Sequence, residues 1–185
     1  MPTTTTVIVH TTVQSSGLAT TILAAFGVLL ALGSLAWQAY TFYRSGSRVR
    51  VVLRSGATNG QQVATFPGVP SEQDRRLLAT QGLTQAIFGV EVSNAGRGAT
   101  SIQSVDLLFP KGASFTGQFV GGSPDLPFRM DGETEKTWYF DAETAKNVGA
   151  ALNQATSLGP SLMMRGRVKL AGKKPVVSKN SIQVL

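Results

Sequence analysis

The chain has 185 residues, no cysteine, one histidine, and a net charge of +7 from 17 basic and 10 acidic side chains. Disulfides, thiolate metal sites and a Cys nucleophile are therefore excluded. The length allows one modest domain with its own core, and the excess of Lys and Arg points to a partner of negative charge.

Residues 1–16 form an uncharged, Thr-rich tail that holds His10, the only histidine. A Ser-His-Asp triad, an HExxH helix or a His-rich metal site in the rest of the chain is excluded with it. No Lys, Arg, Asp or Glu precedes Arg44, and residues 17–43 are almost continuously apolar. A helix needs roughly 20 apolar residues to cross a bilayer, so this run predicts a transmembrane helix. It is too long for the apolar region of a signal peptide, about 7–15 residues, and no basic segment precedes it. Trp37, Tyr40 and Tyr43, followed by Arg44, Arg48 and Arg50, have the order expected where a spanning helix meets the headgroups. Every nearby positive charge lies on the C-terminal side, which predicts a cell-membrane protein with its N-terminus outside and its domain in the cytoplasm. Gly27 and Ala31 form one small-xxx-small pair, which makes self-association possible in principle and gives it no further support.

After a juxtamembrane linker at 44–47, the apolar period changes to two. Val49, Val51 and Leu53 fall on one face of a strand, and Arg48, Arg50 and Arg54 on the other. Further strands are predicted at 85–93, 102–109, 114–120, 135–141, 161–170 and 176–184, separated by Gly, Pro and Asn turns. Two helical insertions are expected. Ser71 caps one that runs to about Thr80, and the other starts at Asp141 or Ala142 and turns Val148 and Leu152 inward. Residues 55–83 carry either an extra hairpin at Asn59-Gly60 or a functional loop. The fold class is an all-β, immunoglobulin-like antiparallel sandwich over 48–185, behind a single N-terminal transmembrane helix.

The runs Val90-Glu-Val-Ser-Asn-Ala-Gly96 and Ile102-Gln-Ser-Val-Asp-Leu-Leu108, and Leu126-Pro-Phe-Arg-Met-Asp-Gly132 leading into Trp138, resemble the strand–turn–strand units of bacterial immunoglobulin-like, adhesion-type sandwiches. With the apolar helix in front, the whole resembles small bacterial single-pass membrane proteins that carry such a domain. The resemblance rests on turns and core positions. It implies a fold and a bacterial source, and no catalytic residue.

The chemistry to be expected is that of binding. The chain has no phosphate-binding Gly-x4-Gly-Lys-Ser/Thr. The acids Asp125, Asp131, Glu133 and Glu135 do not have the spacing of an EF-hand. No metal and no cofactor is expected, and the chain reads as a non-enzyme. Arg165, Arg167 and Lys169 alternate with apolar residues and share one face of a strand, as Arg48, Arg50 and Arg54 do. Arg54, Arg165, Arg167 and Lys169 are therefore candidate contacts to anionic headgroups, each worth about 1 kcal/mol near an anionic surface. The reading is a membrane-anchored interaction or scaffolding module that holds a protein partner, with loops 55–83 and 121–131 as the partner surfaces. The alternatives are a lipid- or envelope-modifying enzyme with a carboxylate pair, and a membrane-tethered nucleic-acid binder. The second lacks aromatic platforms among its cations.

Overall fold

The computed structural model describes residues 17–156 and 162–184, and its contacts divide the chain into two units, Met1–Tyr43 and Arg44–Leu185. The tail at 1–16 lies outside the described residues. Helix α1 (Gly17–Ser45) includes an apolar stretch, Gly17–Tyr43, none of it buried, within which an 18-residue window reaches a mean hydropathy of 2.1. At about 1.5 Å per residue these residues exceed the roughly 30 Å of a hydrocarbon core. Its hydroxyls turn back onto the backbone: Thr21 donates to the carbonyl of Gly17 at 2.6 Å and Thr41 to that of Trp37 at 3.0 Å. A helix that is apolar all round and satisfies its own polar groups suits an apolar solvent.

The second unit consists of two antiparallel sheets. In the first, β2 (Val63–Phe66), β1 (Val49–Thr58), β3 (Gln85–Asn94), β8 (Thr134–Asp141) and β6 (Phe119–Val120) lie in that order. In the second the order is β10 (Val176–Val177), β9 (Met163–Leu170), β4 (Thr100–Leu108) and β5 (Ser114–Phe115). β7 (Phe128–Met130) joins the second sheet on β4, and β11 (Ile182–Gln183) joins it on β9. The period-two pattern sets which side of each strand is buried. Val51, Leu53, Val90, Val92, Trp138 and Phe140 from the first sheet meet Ile102, Val105, Leu107, Met164 and Val168 from the second in one core. The sheets touch at Gly166, where an added Cβ would stand 3.1 Å from Val90 Cγ1 and 3.4 Å from Val51 Cγ1.

Both expected insertions form. The chain leaves β1 through a hairpin at Asn59-Gly60, returns as β2 and enters α2 (Glu72–Thr80). Ser71 Oγ accepts from Asp74 N at 3.1 Å, and Asp74 Oδ2 accepts from Ser71 N at 2.9 Å, a complete capping box. Helix α3 (Ala142–Thr156) follows β8 directly and packs Val148 and Leu152 on the core.

Two expected strands are broken in the structure. Residues 114–120 cross from one sheet to the other: Phe115 pairs with Leu107 of β4, and Phe119 with Phe140 of β8. The alternation survives the crossing because both rings pack on Phe140, at 6.1 and 5.1 Å between centroids. Residues 176–184 are broken at Ser178 and Asn180, whose side chains do the work of a strand. Gly166 N donates to Ser178 Oγ at 3.0 Å, and Asn180 bonds the N–H and C=O of Leu53 at 3.0 and 2.6 Å.

Candidate functional site

The residues expected at a membrane interface lie on two units. On α1, Trp37, Tyr40 and Tyr43 are exposed, with the first two rings 6.0 Å apart. Arg44 falls in the last turn of the same helix, so the linker shortens to 46–48. These three residues are held by the domain. Arg48 N donates to Asn94 Oδ1 at 3.0 Å, Ala95 N donates to the carbonyl of Arg48 at 2.9 Å, and buried Asn94 also donates to the carbonyls of Gly98 and Asp131. The chains run so close that a Cβ at Gly96 would stand 2.0 Å from the carbonyl oxygen of Gly46. Glycine is required there for the approach itself. Lys173, in the turn after β9, donates to Ser47 Oγ. The domain end that receives the chain from α1 thus gathers exposed Arg48, Arg50 and Lys173. Sequence reading missed Lys173, which is 126 positions from Ser47 and meets it only in the fold.

The remaining predicted cations divide. Arg165 and Lys169 are exposed. Arg167 lies between them and is committed to Asp106, with Nε and Nη2 at 3.1 and 2.9 Å from Oδ2. Asp106 is 1 % exposed and also accepts from Thr116 at 2.7 Å. Arg54 is part-buried and bonded to Glu91, which raises its pKa above the ordinary arginine value. An anionic surface would have to compete with those carboxylates for Arg54 and Arg167.

Two carboxyls do meet. Glu135 lies beside Glu91 on the outer face of the first sheet, and its pKa is raised first by burial and then by the Glu91 charge, with Arg54 opposing. Of the acids weighed for calcium, Asp131 pairs with Arg129 at 3.5 Å and Glu133 with Arg97 at 4.0 Å. Among the described residues no group of three potential metal ligands comes together.

Concavity lies elsewhere. The insertion carrying β2 and α2 has its own small core of Ala57, Leu78 and Leu83, packed with Ala64 and Phe66. Where this second core meets the body of the domain, a cleft of about 660 Å³ remains. Its walls are Val69, Pro70, Leu78 and Ala79 from the insertion, Ile87 and Phe88 from β3, Ala142 from α3, and Ile182 and Val184 at the C-terminal end. Among the described residues, Arg75 and Lys146 are the ionisable side chains that line it, and no carboxylate side chain does so. A shallower hollow of about 410 Å³ is formed by residues 118–125, which overlap the other expected partner loop at 121–125. Both features coincide with segments singled out from composition, although the cleft needs four distant stretches of chain to exist. The chain matches no protein-family model and no curated protein.

Proposed function

We propose that this chain is a single-pass membrane protein whose domain is an immunoglobulin-like sandwich that holds a protein partner at the membrane surface without catalysis. The observation that carries the reading is a long helix, apolar on every side and uncovered, running within three residues into a folded domain whose receiving end is basic. Basic side chains just beyond an apolar span favour the cytoplasmic side. The orientation we propose therefore has the N-terminus outside and the domain inside, with Arg48, Arg50 and Lys173 toward anionic headgroups. The strand order supports the immunoglobulin-like assignment. β1-β3-β8-β6 and β10-β9-β4 run as the A-B-E-D and G-F-C sheets of that fold do. The insertion carrying α2 then falls between A and B, and α3 between E and F. A bacterial source remains the expectation from the resemblance.

The non-catalytic reading is supported by where the acids lie: among the described residues no acidic side chain lines the cleft, and Glu91 and Glu135 stand on the outer sheet face beside Arg54. That pair is what an envelope- or lipid-modifying enzyme would have to use, and Glu91→Gln would abolish turnover under that alternative. Nucleic-acid binding loses its stacking platform, because Trp138 and Phe140 are buried. The experiment is photo-crosslinking in cells, with the reactive residue placed at Arg76 or Asp125, or at Lys111 as a control outside the proposed surfaces. A protein adduct from Arg76 or Asp125 and none from Lys111 is expected. Equal or absent adducts at all three positions would remove the interaction reading. Alkaline extraction tests the membrane assignment separately, and the chain is expected to stay in the bilayer.

A further inference from the structure

We propose that the cleft beneath α2 binds a single-chain anionic amphiphile, with its apolar chain on the cleft floor and its anionic head against Arg75 and Lys146. The volume, about 660 Å³, lies within the roughly 300–1,000 Å³ of small-molecule sites, which are apolar with a few placed polar groups. The floor is apolar: Leu78 and Leu83 come from the small core, Ile182 and Val184 from the main core, and Ile87 is a buried residue of β3.

The charge around this floor has one sign. Arg75 comes from α2 and Lys146 from α3, so two separate helices each bring a cation to one apolar cleft. The nearby acids Glu72, Asp141 and Glu143 are not among the residues that line it. Glu72 is 3.8 Å from Arg75 with both side chains more than half exposed, a pairing that water largely screens. Asp141 Oδ1 accepts from Thr144 N at 2.7 Å, capping α3. Ser55, the hydroxyl at the inner wall, donates to the carbonyl of Gly68. Thr84 and Gln183 also line the cleft, and its charged groups are the two cations; an apolar surface with two cations is complementary to a hydrocarbon chain with a compact anionic head. A fatty acid and a single-chain phosphate monoester share that chemistry. The inference is separate from the protein-partner reading and does not depend on it.

The test uses the full chain in nanodiscs of zwitterionic lipid, labelled by palmitic acid carrying a photoreactive diazirine and mapped by peptide mass spectrometry. Label is expected on residues 69–88 and 142–149. Palmitic acid or lysophosphatidic acid should compete roughly tenfold better than hexadecanol, as expected for a charge-assisted contact. Whichever acid competes better identifies the head as a free carboxylate or a phosphate. Ala79→Trp fills the cleft from an exposed helix position and should abolish labelling. The double variant Arg75→Gln with Lys146→Gln changes exposed side chains only and should reduce both acids to the level of the alcohol. Label confined to α1, equal competition by hexadecanol, or labelling that survives Ala79→Trp would each overturn the proposal.

Discussion

Asp106 is the most demanding single residue in the domain. Its carboxylate is almost completely buried and holds Arg167, so removing the arginine leaves a charge without its counterion. Breaking a buried pair from one side costs about 3–5 kcal/mol. Arg167→Ala should therefore lower stability by about 3 kcal/mol in denaturant unfolding, at the lower end because Thr116 still donates to Asp106. Two positions away on the same strand, Arg165→Ala should change stability by no more than about 0.5 kcal/mol, as surface substitutions do. The two residues share one alternation in the sequence, and the partner that separates them is 61 positions away. At Gly96 steric contact decides in place of charge. A methyl group there meets the backbone of Gly46 at 2.0 Å and Arg48 N at 2.7 Å. Gly96→Ala should release residues 46–48 and cost about 2 kcal/mol, within the usual range for a strained core or backbone change. Limited trypsinolysis would detect it as faster cleavage after Arg48.

The helices carry the pH dependence of the element scale. Asp141 caps α3, and hydrogen bonds led by that from Thr144 N lower its pKa. Asp74 caps α2, and the Ser71 hydroxyl and backbone lower its pKa. A depressed carboxyl stabilises the fold above its unfolded pKa, about 3.9 for Asp, and this contribution is lost as pH falls through the lower folded value. Glu135 has the opposite sign: its pKa is raised, so its contribution is complete below its unfolded value and is lost as pH rises through the folded one. Asp141→Ala should cost about 1 kcal/mol at neutral pH. In unfolding curves collected down the pH scale, the gap from the parent protein should close below about pH 4. A gap independent of pH would mean that Asp141 acts by packing and not as a charged cap. Among the elements, α2 was legible because Ser71 and Asp74 stand at capping-box spacing. β8 was legible because it buries one face only, and β3 because its apolar run ends in alternation at Val90 and Val92 before the turn at 94–98. The crossing at 116–118 was hidden because Phe115 and Phe119 keep the alternation of a continuous strand while pairing with different sheets.

For the whole molecule, the orientation proposed from the arginines after α1 has a direct test. The chain has no cysteine, so Thr5→Cys and Gln103→Cys each introduce a single thiol, the second at an exposed strand position. A membrane-impermeant maleimide applied to intact cells should label position 5 and not position 103. Label at 103 alone would reverse the orientation and move the partner search outside the cell. The excess of basic side chains becomes a spatial statement only after folding. Arg48, Arg50 and Lys173 gather at one end, Arg54 and Arg167 are tied to carboxylates, and Arg75 and Lys146 reach the cleft.

The sequence by itself determined the features that depend on neighbouring residues. The apolar helix follows from an uninterrupted run of side chains that water disfavours. The strands follow from alternation, the capped helix from hydrogen bonds three residues apart, and the exclusion of thiol and histidine chemistry from composition. Tertiary structure alone decided which cations are committed, where the two glutamates meet, and that a cleft exists. Those depend on register and on the meeting of two small cores. Ion pairs and cavities join residues tens of positions apart, and no local pattern encodes their distance.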